Sequence, residues 1–100
     1  MRLKDEIAIV TGGGQGIGES ISRRFAIEGA KVVIADINPD TGVNVAKSIN
    51  ESGGNAISIT TDVSDSKAVY KMVSETLDHF GKPTVLINNA GIAVLAHLWK

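Results

Sequence analysis

Between an apolar run ending at Val10 and a segment of helical period, the chain reads Thr11-Gly12-Gly13-Gly14-Gln15-Gly16-Ile17-Gly18. Glycine has no Cβ and admits positive φ, so a bulky anion can come close against the backbone there. Free N–H groups and the positive end of the following helix dipole would face its charge. A pyrophosphate suits such a turn. The strict G-x-G-x-x-G spacing is absent in every register, and the spacing present is T-G-x-x-x-G-x-G. Taken alone, such a turn is equally well a tight strand-to-helix connection.

Three further groups fall at the ends of apolar runs. Asp36 closes the second run, where a carboxylate can accept hydrogen bonds from both hydroxyls of a ribose. Asp62-Val63 follows the third, and Asn88-Asn89-Ala90-Gly91 follows the fourth. Each has a local reading: Asp36 as a helix-entry turn residue, Asp62 as a cap, the asparagines as turn formers. Their placement at the ends of four successive strands is what favours a shared ligand over four unrelated turns.

The elements that must position these groups follow from periodicity. Short β-branched runs at Ile7–Val10, Lys31–Ala35, Ala56–Thr60 and Thr84–Ile87 alternate with helical segments, and most are apolar on both faces, as buried parallel strands are. The first helix is expected to turn Ile17, Ile21 and Phe25 inward and Arg23, Arg24 and Glu28 mostly to water, with Gly29 ending it. Asn38 is the expected N-cap of the second, with Pro39 at the first helical position and Val45, Ala46 and Ile49 buried. The third has Val69, Met72, Val73, Thr76, Leu77 and Phe80 on one face, Ser64 as its expected cap, and Gly81 as its end. The expected fold class is α/β: the N-terminal half of a Rossmann-like, doubly wound parallel sheet with strand order 3-2-1-4 and three helices. Ligand would then lie at the carboxyl ends of strands one and four.

At 100 residues and 43% hydrophobic content, the chain is one domain with one core, spanning residues 1–100. A formal net charge of −1 from 10 basic and 11 acidic residues offers no basic stripe, so no nucleic acid partner is expected. No apolar stretch approaches a membrane span, and the N-terminus lacks the apolar run of a signal peptide. Zero cysteines exclude thiolate metal sites and disulfides, His79 and His97 are too far apart to suggest a metal motif, and the cytoplasm is the expected compartment. The triplet Asn50-Glu51-Ser52 matches a glycosylation sequon and reads as a surface helix end.

The T-G-x-x-x-G-x-G turn, Asp36, Asp62-Val63 and the N-N-A-G segment together resemble the short-chain dehydrogenase/reductase family, in its branch with compact subunits, from about Ile7 to Gly91. The resemblance implies a nicotinamide dinucleotide held by Thr11, Gly12, Gly14, Gln15, Gly16, Ile17 and Gly18 of the turn. It places Asp36 and Ile37 at the adenosine ribose, Asp62 and Val63 at the adenine, and Asn89, Ala90 and Gly91 along the fourth strand end. NAD is expected over NADP, because Asp36 would repel a 2′-phosphate and the places where the family usually carries a cation hold Gln15 and Ile37.

The family's catalysis uses a tyrosine in Y-x-x-x-K, which moves a proton while hydride passes between nicotinamide and an alcohol or carbonyl carbon, and an upstream serine that polarises the substrate oxygen. The one tyrosine here, Tyr70, is followed four residues later by Ser74, so the motif fails and no catalytic residue is assigned. Tyr70 is expected to be partly exposed, and His79 to be a surface group at a helix end. Leu95, Leu98 and Trp99 in the tail are expected to pack, and the fourth strand would form an open apolar edge. The chain is thus expected to be a cofactor-binding portion truncated after the fourth strand, inactive by itself. The whole protein would act on an alcohol or carbonyl substrate of secondary-alcohol or 3-oxoacyl type and would form a homo-oligomer, as the family commonly does. The alternative is a stand-alone nucleotide-binding or assembly module without catalysis.

Overall fold

The computed structural model describes residues 2–89. In chain order these form β1 (Ile7–Thr11), α1 (Gly16–Ile27), β2 (Lys31–Asp36), α2 (Pro39–Glu51), β3 (Asn55–Thr60), α3 (Ser66–His79) and β4 (Val85–Asn88). The strands make one parallel sheet in the order β3-β2-β1-β4, the half of a doubly wound fold that the alternation predicts. Each observed strand lies within one residue of its expected ends. The shifts include Thr11, Asp36 and Asn88, polar residues that remain in the ladder although the apolar run stops before them.

Side chains that alternate along the strands build two apolar clusters, one on each face of the sheet, rather than the one core expected from size, because a sheet covered on both sides separates them. Val10, Val32 and Ile34 face Val45, Ala46 and Ile49 of α2, with Ile21 and Phe25 of α1 packed alongside. Ile9, Val33, Ala35 and Ile59 face Val69 and Met72 of α3 on the other side. Burying each such aliphatic side chain contributes about 1.5–3 kcal/mol. Arg23 reaches from α1 to α2, donating to Ser48 Oγ at 2.9 Å while pairing with Glu19 at 2.8 Å. Asn50, in the sequon, uses its amide to bond both backbone groups of Ala56 at 2.8 and 2.9 Å, which fastens the end of α2 to the start of β3.

Three local expectations are corrected. Ile17 is 71% exposed; the residues of α1 buried against the sheet are Gly18 and Ser22. Apolar period selects large side chains, whereas close approach of this helix to the glycine turn selects small ones. Leu77 is 50% exposed, since the inward line of α3 runs through Val69, Met72 and Thr76 and Leu77 lies at its margin. The third helix is capped by Asp65, whose carboxylate accepts from Lys67 N–H at 3.0 Å, and Ser64 is instead a donor to Asp62. Asp62 captures Ser64 in a local turn two residues on, and the cap passes to the next acidic residue. Asn38 caps α2 as expected, accepting from Asp40 and Thr41, and Gly29 and Gly81 follow α1 and α3 with positive φ.

Candidate functional site

Parallel strands put all four carboxyl ends on one edge of the sheet, and the glycine turn leaves β1 there. Thr11 fastens that edge. Its Oγ1 lies 3.3 Å from Ile87 O and accepts the Asn89 N–H at 2.9 Å, so the exit of β4 is tied to the exit of β1. Gly12, at φ +66, donates its N–H to Ala35 O at 2.7 Å and ties the turn to β2. Thr61 N–H in turn donates to Asp36 O at 2.9 Å, linking β3's exit to β2's.

A cleft of about 450 Å³ lies among these exits. Gly12 and Gln15 line it from the turn, Asp36 and Ile37 from the end of β2, Asp62 and Val63 from beyond β3, and Asn89 from beyond β4. Residues from all four strand ends thus meet at one place. Larger hollows exist, among them one of about 590 Å³ between Arg23, Lys31 and Gly54 at the opposite end of the sheet, where no strand-end group reaches.

The turn is as tight as glycine permits. A Cβ at Gly18 would overlap the Gly12 carbonyl and lie 2.9 Å from Asn89 Nδ2. At Gly14 a Cβ would lie 2.8 Å from both Asp36 Oδ2 and Gly42 N, so the turn touches the first turn of α2. Gly16 is different: it has φ +53 and open space where its Cβ would be. Gln15, the N-cap of α1, makes no side-chain cap, so the first-turn N–H groups of α1 have no side-chain partner from it. The first turn of this helix therefore keeps backbone donors without a side-chain cap at the positive end of its dipole.

Asp36 is 5% exposed and fully engaged with backbone. Its Oδ2 accepts the Gly14 N–H and its Oδ1 the Asn38 N–H, each at 3.0 Å. Its local turn role is thus observed, and the side chain also lines the cleft, with a second lone pair left on each carboxylate oxygen. Asp62 is exposed, and Ser64 holds its carboxyl below the usual carboxylate range, chiefly through the hydroxyl at 2.6 Å and then through the backbone N–H at 2.9 Å. Tyr70 is 61% exposed on α3, among the helix residues facing water.

Of the turn residues named from sequence, Gly12 and Gln15 line the cleft, Thr11, Gly14 and Gly18 are buried, and Gly16 and Ile17 are exposed and line a separate hollow with Ile21 and Phe25 of α1. Ala90, Gly91 and the tail containing Leu95, Leu98 and Trp99 lie outside the described residues. Two residues with no assigned part prove close to the turn. Ser22 Oγ lies 3.2 Å from Gly13 O, and Gly42 lets α2 approach both Gly14 and Ser58. The signal for Gly42 was a glycine inside a helix, which costs about 1 kcal/mol unless close packing requires it. The signal for Ser22 was a hydroxyl one helical turn past Gly18.

Known proteins are similar to this chain in sequence and in fold. The meso-2,3-butanediol dehydrogenase of Serratia marcescens is 43% identical over 94% of this chain and 37% of its own length. The NADP-dependent (R)-specific alcohol dehydrogenase of Lentilactobacillus kefiri is 46% identical over 93% of this chain and 36% of its own. A solved 7α-hydroxysteroid dehydrogenase, complexed with NADH and 7-oxo glycochenodeoxycholic acid, matches with a TM-score of 0.88 at 37% identity, covering 91% of this chain and 36% of that one. The chain thus spans less than two fifths of the length of these relatives. A family model described as short chain dehydrogenase matches residues 6–99, which take in the glycine turn and every strand end of the cleft: the chain belongs to the short-chain dehydrogenase family.

Proposed function

We propose that this chain is the NAD-binding portion of an oxidoreductase that moves hydride between NAD(H) and an alcohol or carbonyl substrate, of secondary-alcohol or 3-oxoacyl type. The observation that carries the cofactor choice is Asp36. A carboxylate lines the cleft, and no Lys or Arg is among the described residues that line it. Asp36 would accept from ribose hydroxyls through its remaining lone pairs, and a 2′-phosphate there would meet repulsion of about 1 kcal/mol per charge pair at about 4 Å in water, more where water is excluded. The open backbone at Gly16 and the first turn of α1 fit a pyrophosphate, and Asp62, Val63 and Ile37 fit an adenosine. Asn89, beyond β4, adds to the set; Ala90 and Gly91 follow it in the sequence and complete the family's N-N-A-G. Bound nicotinamide would supply the hydride chemistry; these residues bind and orient it. The relative named NADP-dependent is 46% identical, so overall similarity does not carry the cofactor choice.

Calorimetry of the 100-residue chain tests the reading: NAD is expected to bind more tightly than NADP, and the reverse preference would overturn it. The same chain mixed with NAD and a secondary alcohol is expected to form no NADH, since Tyr70 is exposed on α3 and is followed by Ser74 rather than lysine at the fourth position. Measurable turnover refutes that part.

A further inference from the structure

Ser22 lies on α1 one helical turn past Gly18 and is fully buried, with 0% exposure. Its Oγ is 2.9 Å from Gly18 O, the back-bond that serine often makes inside a helix, and 3.2 Å from Gly13 O. The second contact is not helical. It reaches into the middle of the glycine turn, where a Cβ at Gly13 would lie only 2.8 Å from Ser22 Oγ.

The Gly13–Gly14 peptide is trans, so its C=O and N–H point in opposite directions. The carbonyl faces Ser22, and the N–H is donated to Asp36 Oδ2 at 3.0 Å. One rigid peptide plane therefore joins a buried hydroxyl on α1 to the carboxylate on β2. Were the plane to rotate, the Gly13 carbonyl would turn toward the Asp36 carboxylate, acceptor against acceptor, and Gly14 would lose its partner. The Ser22 hydroxyl, whose one proton is shared between the Gly18 and Gly13 carbonyls, opposes that rotation as the only side-chain donor near the Gly13 carbonyl among the described residues.

We propose that Ser22 is a positioning residue for cofactor discrimination: it fixes the Gly13–Gly14 peptide, and through it the Asp36 carboxylate that would meet the 2′ position of the cofactor. The effect on discrimination rests on the NAD reading above; the effect on the peptide does not. Ser22 touches no ligand itself.

The test uses Ser22→Ala, which removes the hydroxyl, and Ser22→Cys, which keeps the volume with a much weaker donor. In the ligand-free chain, amide hydrogen exchange followed by NMR is expected to quicken at Gly14 by about tenfold in both variants, the worth of roughly one hydrogen bond, while amides in β1 and β2 keep wild-type protection. Ser22→Thr, which retains the hydroxyl, is expected to return Gly14 toward wild type. Calorimetry then compares NAD with NADP, and the wild-type preference is expected to shrink in Ser22→Ala and Ser22→Cys. Wild-type protection of Gly14 in Ser22→Cys overturns the proposal, as does an undiminished NAD preference in a variant whose Gly14 exchanges faster. If the wild-type chain binds no NAD, the cofactor reading fails, and exchange at Gly14 alone decides the part played by Ser22.

Discussion

Replacing Asp36 with alanine removes an acceptor that holds two loops at once, Gly14 in the glycine turn and Asn38 at the mouth of α2, each at 3.0 Å. Hydrogen bonds to a charged group contribute about 1.5–3 kcal/mol each. The Asn38 N–H is only partly buried and can turn to water, whereas the Gly14 bond is buried, so most of the cost falls on Gly14. A loss of about 2–3 kcal/mol is expected. At roughly 4–8 °C per kcal/mol for a domain of this size, the melting midpoint should fall by about 8–24 °C. Urea unfolding followed by circular dichroism would show a lower midpoint with an unchanged slope, the mark of lost stability without a changed unfolded state. Asp36→Asn keeps the volume and one acceptor oxygen and should lose about half as much. An alanine variant within about 0.5 kcal/mol of wild type would refute the clamp, since surface substitutions without such a role stay in that range. The outcome also governs how cofactor affinity is read: in Asp36→Ala, weakened NAD binding combines a lost ribose partner with a loosened phosphate turn.

Three further substitutions, two at the cleft edge of the sheet and one at its far end, separate these roles. Gly18→Ala sets a Cβ against the Gly12 carbonyl, a backbone atom that cannot swing aside, and should cost about 1–3 kcal/mol in chemical denaturation while weakening NAD binding. Gly53→Ala, at φ +92 with open space around it at the far end of α2, should cost about 1–2 kcal/mol and leave NAD binding unchanged; equal losses of affinity in both variants would sink the distinction. Ser64→Ala should raise the Asp62 titration midpoint toward the ordinary carboxylate range in an NMR pH titration, and an unmoved midpoint would show that the hydroxyl does not hold that carboxyl low. Because the folded-state value is lowered, any stability it carries is present above the ordinary carboxylate range and fades as pH falls through the folded value, so the variant should lack that contribution and show a flatter pH dependence there.

The sheet was legible because a buried parallel strand announces itself twice, by β-branched residues on consecutive positions and by glycine or a helix cap just beyond. Val32, Val33 and Ile34 are all fully buried on alternate faces, and no amphipathic pattern competes with them. Helix faces were legible where depth and size agree, as at Val69 and Met72. They were misread where depth requires small residues: Gly18 and Ser22 form the buried line of α1 and carry little hydropathy, whereas Ile17 carries much and is exposed. The cap of α3 was missed because Ser64 and Asp65 are both good cap residues, and the choice turns on Asp62 taking the Ser64 N–H and hydroxyl first.

The site was legible as a set of strand-end residues and illegible as a set of bonds. Strand order follows from local alternation, so the meeting of the turn with Asp36, Asp62 and Asn89 follows from residue spacing alone. The bond from Gly14 to Asp36 spans 22 residues and depends on a peptide orientation that no propensity encodes. Weighing Asp36 as either a turn residue or a ribose acceptor treats two uses of one carboxylate as alternatives. The two backbone bonds that hold the buried carboxylate also fix where its remaining lone pairs point, so the turn role leaves room for the proposed ribose role. A carboxylate free to rotate would lose side-chain entropy on binding a ribose, and one already held by Gly14 and Asn38 has lost it on folding. Holding the turn therefore prepares the cleft, and a substitution that spares Asp36 but releases Gly14 should weaken discrimination at the 2′ position without altering any residue that faces it.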